Sequence, residues 1–249
     1  MLTPKRHQLI EQELSKKQMV TIQDLVDITG ASESTIRRDL SELEKQSRLI
    51  RVHGGASIKN TGKQELSVPE KSSKNITEKK AIAAYATGLV EDYDCIYLDA
   101  GTTTFEMIPF LTNKNITVVT NGITHLDALS QFGIPTYLVG GLVKYNTSAL
   151  IGQFARMSLL NYRFDKCFLG VNGIHAEYAY TTPDPEEAAI KQTALELSKK
   201  SFVLADSSKL DQVSFTKIAD LKAATIIINQ TDHQMLNAIN KKTNVKVVS

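Results

Sequence analysis

At 249 residues, 42% of them hydrophobic and with mixed charge, the chain is long enough for one large domain or two smaller ones and reads as a folded protein. Its net charge of +2 does not announce nucleic acid, although ten Lys/Arg against eight Asp/Glu in residues 1–60 place the whole excess in the N-terminal quarter. No apolar run approaches a membrane span, the first residues lack the apolar core of a signal peptide, and Cys95 and Cys167 lie in apolar strand-like runs, so a cytoplasmic protein with two buried thiols is expected.

A first helix is expected from Pro4 to Lys16, with proline in the first turn and Ile10 and Leu14 on one face. Residues 21–43 then read as two short helices joined at Gly30, which can supply a positive φ. Thr21 caps the first with Asp24 near N3, and Leu25 and Ile28 share a face. Ser32 caps the second, whose Ile36, Leu40 and Leu43 form a buried stripe. Glu33, Ser34, Arg37 and Arg38 are left outward, the equipment of a helix that reads a major groove, although a solvated helix pair in a bundle has the same spacing. Arg48 to Ala56 resembles a two-stranded wing with its tip at Gly54-Gly55, and Arg48, Arg51 and His53 would face DNA.

Lys59 to Pro69 is polar and without periodicity and reads as a linker. A helix over Glu78–Val90 opens the remainder, in which strands and helices alternate. Strands are expected at 95–98, 116–119, 136–139, 166–169, 201–205, 225–228 and 245–248, with helices following Gly122, near 153–160 and over 186–199. Apolar strands with crossover helices imply a parallel sheet covered on both faces, where ligands bind beyond the carboxyl ends of the strands.

Several strands end in small or polar residues: Asp99-Ala-Gly-Thr, Thr120-Asn-Gly, Gly140-Gly141 and Gly170-Val-Asn-Gly. In the first, Gly101 allows close backbone approach and the hydroxyls of Thr102, Thr103 and Thr104 meet a helix start, an arrangement suited to phosphate but equally to a capped turn. Thr103 is expected to cap that helix with Glu106, and Pro109 to kink or shorten it. Asp99 suits sugar hydroxyls or proton transfer. Glu187 and Lys191, four apart on a helix, are either functional or a surface ion pair, and Lys209 in Asp206-Ser-Ser-Lys offers a further cation. His125, His175 and His233 have no metal-ligand spacing and read as surface or loop residues.

Taken together, Ser34-Thr-Ile-Arg-Arg-Asp-Leu40 with Arg51-Val-His-Gly-Gly-Ala56 resembles the DNA-binding domain of DeoR-type bacterial repressors. The strand-end motifs Asp99-Ala-Gly-Thr-Thr, Thr120-Asn-Gly, Gly140-Gly141 and Asp206-Ser-Ser-Lys209 resemble their sensor domain. Residues 70–75 and 180–187 are most similar to the fructose-operon repressors of Gram-positive bacteria. The resemblance implies an α/β chain: a winged helix-turn-helix domain over residues 1–57, a linker over 58–74, and over 75–249 a parallel-sheet effector-binding and oligomerisation domain similar to ribose-5-phosphate isomerase.

On that resemblance the expected DNA contacts are Ser32, Ser34, Thr35, Arg37, Arg38, Arg51, His53 and Gly54. The expected effector contacts are Asp99, Gly101, Thr102, Thr103, Thr104, Asn121, Gly122, Gly141, Asn172, Glu187, Lys191 and Lys209. The partners implied are operator DNA, a phosphorylated sugar with fructose 1-phosphate foremost, and further copies of the chain as a dimer or tetramer; neither cofactor, metal nor membrane is implied. The function expected is repression of a sugar operon, relieved by the sugar phosphate, without enzymatic activity. Two alternatives remain: a sugar-phosphate isomerase with a nucleic-acid-binding appendage, acting through Asp99, Glu187 and Lys191, and an architectural DNA binder without ligand.

Overall fold

A computed structural model describes residues 2–17, 19–46, 48–52, 54–58 and 67–248. The chain divides into two compact units, Met1–Gln64 and Glu65–Ser249. The smaller contains α1 (Thr3–Lys17), β1 (Met19–Thr21), α2 (Ile22–Thr29), α3 (Glu33–Lys45), β2 (Leu49–Val52) and β3 (Gly55–Ile58). Local chemistry explains its joints. The Thr21 hydroxyl accepts from the Asp24 amide at 3.0 Å while the Asp24 carboxylate accepts from the Thr21 amide at 2.9 Å, closing the capping box at the start of α2. Gly30 ends α2 at φ 66°, and Ser32 caps α3. Ile10, Leu14, Leu25, Ile36, Leu40 and Leu43 meet in one core, whereas Ile28 is exposed rather than sharing Leu25's burial.

The strands of this unit run β1-β3-β2, all antiparallel. β1 has no counterpart among the expected elements, since three residues are too few to show a period. The wing turn differs from the expected Gly54-Gly55 tip. Val52 pairs with Gly55, so of the glycine pair Gly54, at φ 83°, lies in the turn. Gly55 belongs to β3, and a side chain there would collide with the Val20 carbonyl of β1. His53 lies outside the described residues.

The larger unit begins with α4 (Val68–Ser72), inside the segment 58–74 expected to be linker; residues 59–66 of that segment lie outside the described residues. It continues with α5 (Ile76–Gly88), β4 (Cys95–Leu98), α6 (Thr102–Phe105), β5 (Thr117–Thr120), α7 (Ile123–Gln131), β6 (Thr136–Leu138), β7 (Leu142–Lys144), β8 (Ala149–Ile151), α8 (Gln153–Leu159), β9 (Phe164–Gly170), β10 (Gly173–His175), β11 (Ala179–Thr182), α9 (Pro185–Glu196), β12 (Ser198–Ala205), β13 (Thr216–Ala219), β14 (Thr225–Asn229), α10 (Met235–Asn240) and β15 (Val245–Val248). Among the described residues the main sheet has seven strands, all parallel, in the order β15-β14-β12-β9-β4-β5-β6. Each of the seven strands expected from the sequence is in it. Clusters around Ile82, Leu98 and Phe168 on one side and Tyr97, Leu159 and Leu169 on another bury its strands on both faces.

The short antiparallel pairings β7 with β8, β10 with β11 and β11 with β13 have no signal in the sequence. From β4 the chain adds β5 and β6 on one side, then returns to add β9, β12, β14 and β15 on the other. The order therefore reverses between β4 and β9, and a crevice opens beyond their carboxyl ends. Among the described residues no helix is long and apolar enough to cross a membrane.

Candidate functional site

In the smaller unit the start of α3 gathers three hydroxyls. Ser32 Oγ lies 3.0 Å from Ser34 Oγ and 2.9 Å from Thr35 Oγ1, at the N-terminus of a 13-residue helix whose dipole favours phosphate. Arg37 and Arg38 are exposed on the next turn, and Arg37 Nη2 reaches Glu33 at 3.3 Å. Such an exposed i,i+4 pair is weak enough to yield to a base or phosphate.

The wing arginines are held by the unit itself. Both are exposed; Arg51 donates to Ser41 Oγ at 2.7 Å, and Arg48 pairs with Glu11 at 2.5 Å. Asp39 points inward from α3, where the Arg6 guanidinium and His7 clamp it. Burial pushes its pKa up, but Arg6 and then His7 outweigh burial and hold the carboxyl below its usual range.

In the larger unit a cavity of about 110 Å³ fills the crevice between β4 and β9. Asp99, just past β4, is buried; its carboxylate accepts from Lys191 Nζ and from the Gly170 amide at 3.1 Å, bridging the two strands. Glu187 and Lys191 are both buried, so they are not a surface ion pair. Lys191 pairs with Asp99, while Glu187 accepts from Lys144 at 3.0 Å and Thr147 at 2.7 Å. Burial would raise the Glu187 pKa, but the charges of Lys191 and Lys144 and the Thr147 hydroxyl bring it below the ordinary value. Asn172 accepts from Thr182 Oγ1 at 3.1 Å beside this array.

At the other end of the cavity Lys71, Lys74, Lys79 and Lys209 gather from α4, the turn between α4 and α5, α5, and the turn after β12. Lys79 is buried and donates to the Lys71 carbonyl; burial lowers its pKa, and Asp206 only partly opposes this. Asp206 is buried too, accepting from Asn75 Nδ2 at 2.9 Å and from Ser208. The lining therefore holds five lysines against three carboxylates, an excess that favours an anion.

The expected effector residues divide. Asp99, Gly101, Thr102, Thr103, Asn121, Asn172, Glu187, Lys191 and Lys209 line the cavity; Thr104, Gly122 and Gly141 do not. Thr104 lies beneath it, donating to the Asp99 carbonyl at 2.6 Å and contacting His125 Nε2 at 3.2 Å. Side chains at Gly122 and Gly141 would strike His125 and Ala155 respectively, so these glycines serve packing. Asn121 is committed to the fold, its Oδ1 accepting from Tyr97 at 2.9 Å and from the Ala100 amide at 3.0 Å. α6 is one turn long and starts after Gly101, with Thr103 inside it and Glu106 at its end, so the expected Thr103–Glu106 cap is absent. Its dipole adds little, and anion attraction comes from the lysines instead.

The residues matched by known domains coincide with these two units. A DeoR-like helix-turn-helix domain matches residues 6–61, and the DeoR C-terminal sensor domain matches residues 74–233. The chain belongs to the DeoR family of transcriptional regulators. It is 51% identical over 249 residues, all of this chain and 99% of the relative, to the uncharacterized HTH-type transcriptional regulator FruR of Bacillus subtilis (strain 168). It is 32% identical over 241 residues, 95% of each protein, to the lactose phosphotransferase system repressor of Staphylococcus epidermidis. Among solved structures it is similar to ribose 5-phosphate isomerase A from Methanocaldococcus jannaschii, with a TM-score of 0.42, 20% identity and 55% of each chain covered.

In this DeoR-family regulator the cavity also takes residues that carry little signal in the sequence. Lys71 and Lys74 fall within the expected linker, and Lys79 looks like one more helix lysine. Its register is the available signal, because it lies three residues before Ile82 and four before Ala83, on the buried face of α5. Thr147, which lines the cavity, and Lys144, which pairs with the lining residue Glu187, come from the turn after β7 and from β7 itself, which have no sequence signature. His125 is fully buried beneath Thr104, edge-on to Phe105, rather than at the surface, and burial takes its pKa down to about 4. Of the two thiols Cys167 is buried and Cys95 only half-buried, and both are unpaired. Among the described residues no group of three or more His, Cys, Asp or Glu gathers as a metal site.

Proposed function

We propose that the chain is a cytoplasmic repressor that holds operator DNA through residues 1–57 and releases it when a phosphorylated sugar fills the crevice of residues 75–249, residues 58–74 carrying the signal between them. One observation carries this reading: the cavity at the topological switch point has a basic end and a hydrogen-bonding end. Lys71, Lys79 and Lys209 supply charge for a phosphate, while Asp99, Asn172 and Glu187 offer acceptors for hydroxyls. Lys71 sits on α4, at the junction of 58–74 with the sensor, where a bound phosphate would pull directly on the connecting chain. Ser34, Arg37 and Arg38 are the best placed of the expected residues for contact with base edges and phosphates.

The relatives favour sugar operons, and the full-length similarity to FruR makes fructose 1-phosphate the first effector to try. The state of the carboxylates favours binding. Asp99 holds Lys191 and the Gly170 amide through Oδ2, and Glu187 holds Lys144 and Thr147 through Oε1, so each carboxylate is anchored by fixed donors at one oxygen, a geometry that positions the other to accept from a hydroxyl. The test is fluorescence anisotropy on the DNA upstream of the regulated operon, titrated with fructose 1-phosphate, fructose 6-phosphate and ribose 5-phosphate. Specific binding abolished by one of them is expected. Binding no tighter than to random DNA, or binding indifferent to every sugar phosphate, would overturn the proposal.

A further inference from the structure

One surface of the larger unit is built unlike the rest. α8 buries Ala155 and Leu159 against the sheet and turns Phe154, Met157 and the following Leu160 outward, exposed by 78%, 53% and 51%. Leu142 of β7 is 70% exposed, with its Cβ 4.0 Å from where a side chain at Gly152, just ahead of α8, would start. Tyr137, on the edge strand β6, is 56% exposed and its ring lies 5.7 Å from that of Tyr162, two residues beyond Leu160. Leu142 thus flanks the start of α8 and Tyr137 the chain just past its end, with the outward side chains of α8 between them. From Thr136 to Tyr162 the sequence has only two charged residues, Lys144 and Arg156, in a chain that is 22% charged. Lys144 is occupied by Glu187 and Asp184, and Arg156 Nε donates to Thr193 at 3.1 Å.

We infer that this face, with α8 at its centre, is where a second copy of the chain docks. Three arguments select that occupant. A two-fold interface brings each residue near itself or its symmetry mate, so it must be self-complementary; an apolar face nearly free of charge satisfies this without any charge having to meet its like. Aromatic and Met side chains with few charges are also the composition of an interface core. Three full side chains' worth of exposure, at roughly 200 Å² per large side chain, gives about 600 Å² per copy before any rim. Doubled, that reaches the lower edge of specific interfaces, about 1,200 Å². The helix-turn-helix unit supplies the need, since such modules read paired half-sites as dimers. The face is one helix away from the cavity, because Arg156 ties α8 to the helix α9 that carries Glu187 and Lys191.

The inference does not rest on the effector reading, and the two are measured separately. Sedimentation of the full chain should show a dimer. Phe154→Glu/Met157→Glu should raise its dissociation constant by about 100-fold or more, as expected for central anchors. Tyr137→Arg, on a different element, should weaken it in the same direction. All the altered groups are exposed, so the circular dichroism and the sugar-phosphate binding of the double variant should stay at the wild-type values, whereas its thermal midpoint should lose the concentration dependence that dimerisation gives the wild type. A wild-type chain that sediments as a monomer, or a dimer unaffected by both variants, would overturn the inference. A double variant that has lost its native circular dichroism would leave Tyr137→Arg to decide, and an unchanged dimer there would overturn it equally.

Discussion

Removing the Asp99 carboxylate should destabilise the sensor unit while leaving the DNA-binding unit untouched. Asp99 and Lys191 are both buried, and Lys191 reaches no other carboxylate among its hydrogen bonds and ion pairs within the described residues. Asp99→Ala strands the ammonium in the crevice and frees the Gly170 amide. Breaking a buried pair by deleting one partner costs about 3–5 kcal/mol. For a unit of this size each kcal/mol moves the midpoint by roughly 2–4 °C, so a fall of about 6–20 °C is expected. Replacing both members, as Asp99→Asn/Lys191→Met, should recover most of the loss, since neither charge then remains buried alone. Differential scanning calorimetry is the assay, with the transition of the smaller unit as an internal reference. Single variants costing less than about 1 kcal/mol, or a double variant whose loss equals the sum of the singles, would show that the pair is solvated and uncoupled and would refute the reasoning.

Three further outcomes follow from the same geometry. Lys79→Met should raise the stability of the larger unit yet weaken sugar-phosphate binding by at least about tenfold, because it removes a cation whose burial opposes its charge. The folded-state pKa of Lys79 is below the ordinary 10.5, so between the two values the unfolded chain binds the extra proton; wild-type stability should therefore gain on the variant's as pH rises towards 10.5, and a flat difference would contradict the burial argument. Asp39→Ala should cost the smaller unit about 3–5 kcal/mol by stranding Arg6. Since Asp39 titrates below its ordinary value when folded, the wild type's advantage is full above about pH 4 and is lost as pH falls through the folded value, which acid denaturation followed by circular dichroism would read. Arg37→Ala should lower specific operator affinity by about 1–3 kcal/mol while leaving binding to random DNA nearly unchanged; equal losses on both would reassign Arg37 to phosphate contact.

Whatever depends on neighbours along the chain is legible in the amino-acid order. The Thr21–Asp24 box, Gly30 in the left-handed region and the Ser32 cap are settled within a few residues, so the helix-turn-helix can be read directly. The seven parallel strands are legible because strands buried on both faces must be apolar throughout. Gly55 shows the limit: the sequence marks a glycine pair at a turn, but only the pairing of β3 with β1 shows that Gly54 makes the turn and Gly55 makes room for Val20.

The site is legible in part, at Asp99, Gly101, Thr102, Thr103, Asn172, Lys191 and Lys209, because strand ends announce a crevice by composition. What fills that crevice is decided by tertiary structure. Asp99 meets Lys191 from 92 residues away, Asp206 meets Asn75 across 131, and Glu187 turns to Lys144 rather than to the lysine one helical turn along. Lys79 stands out only once the chain has folded and a lysine is found where water is not. The sequence by itself thus determined the helix-turn-helix, the seven parallel strands, the family and the presence of a crevice. Which charges are buried, and against what, was left to long-range packing, because a charge acquires its pKa and its role from the groups folded around it.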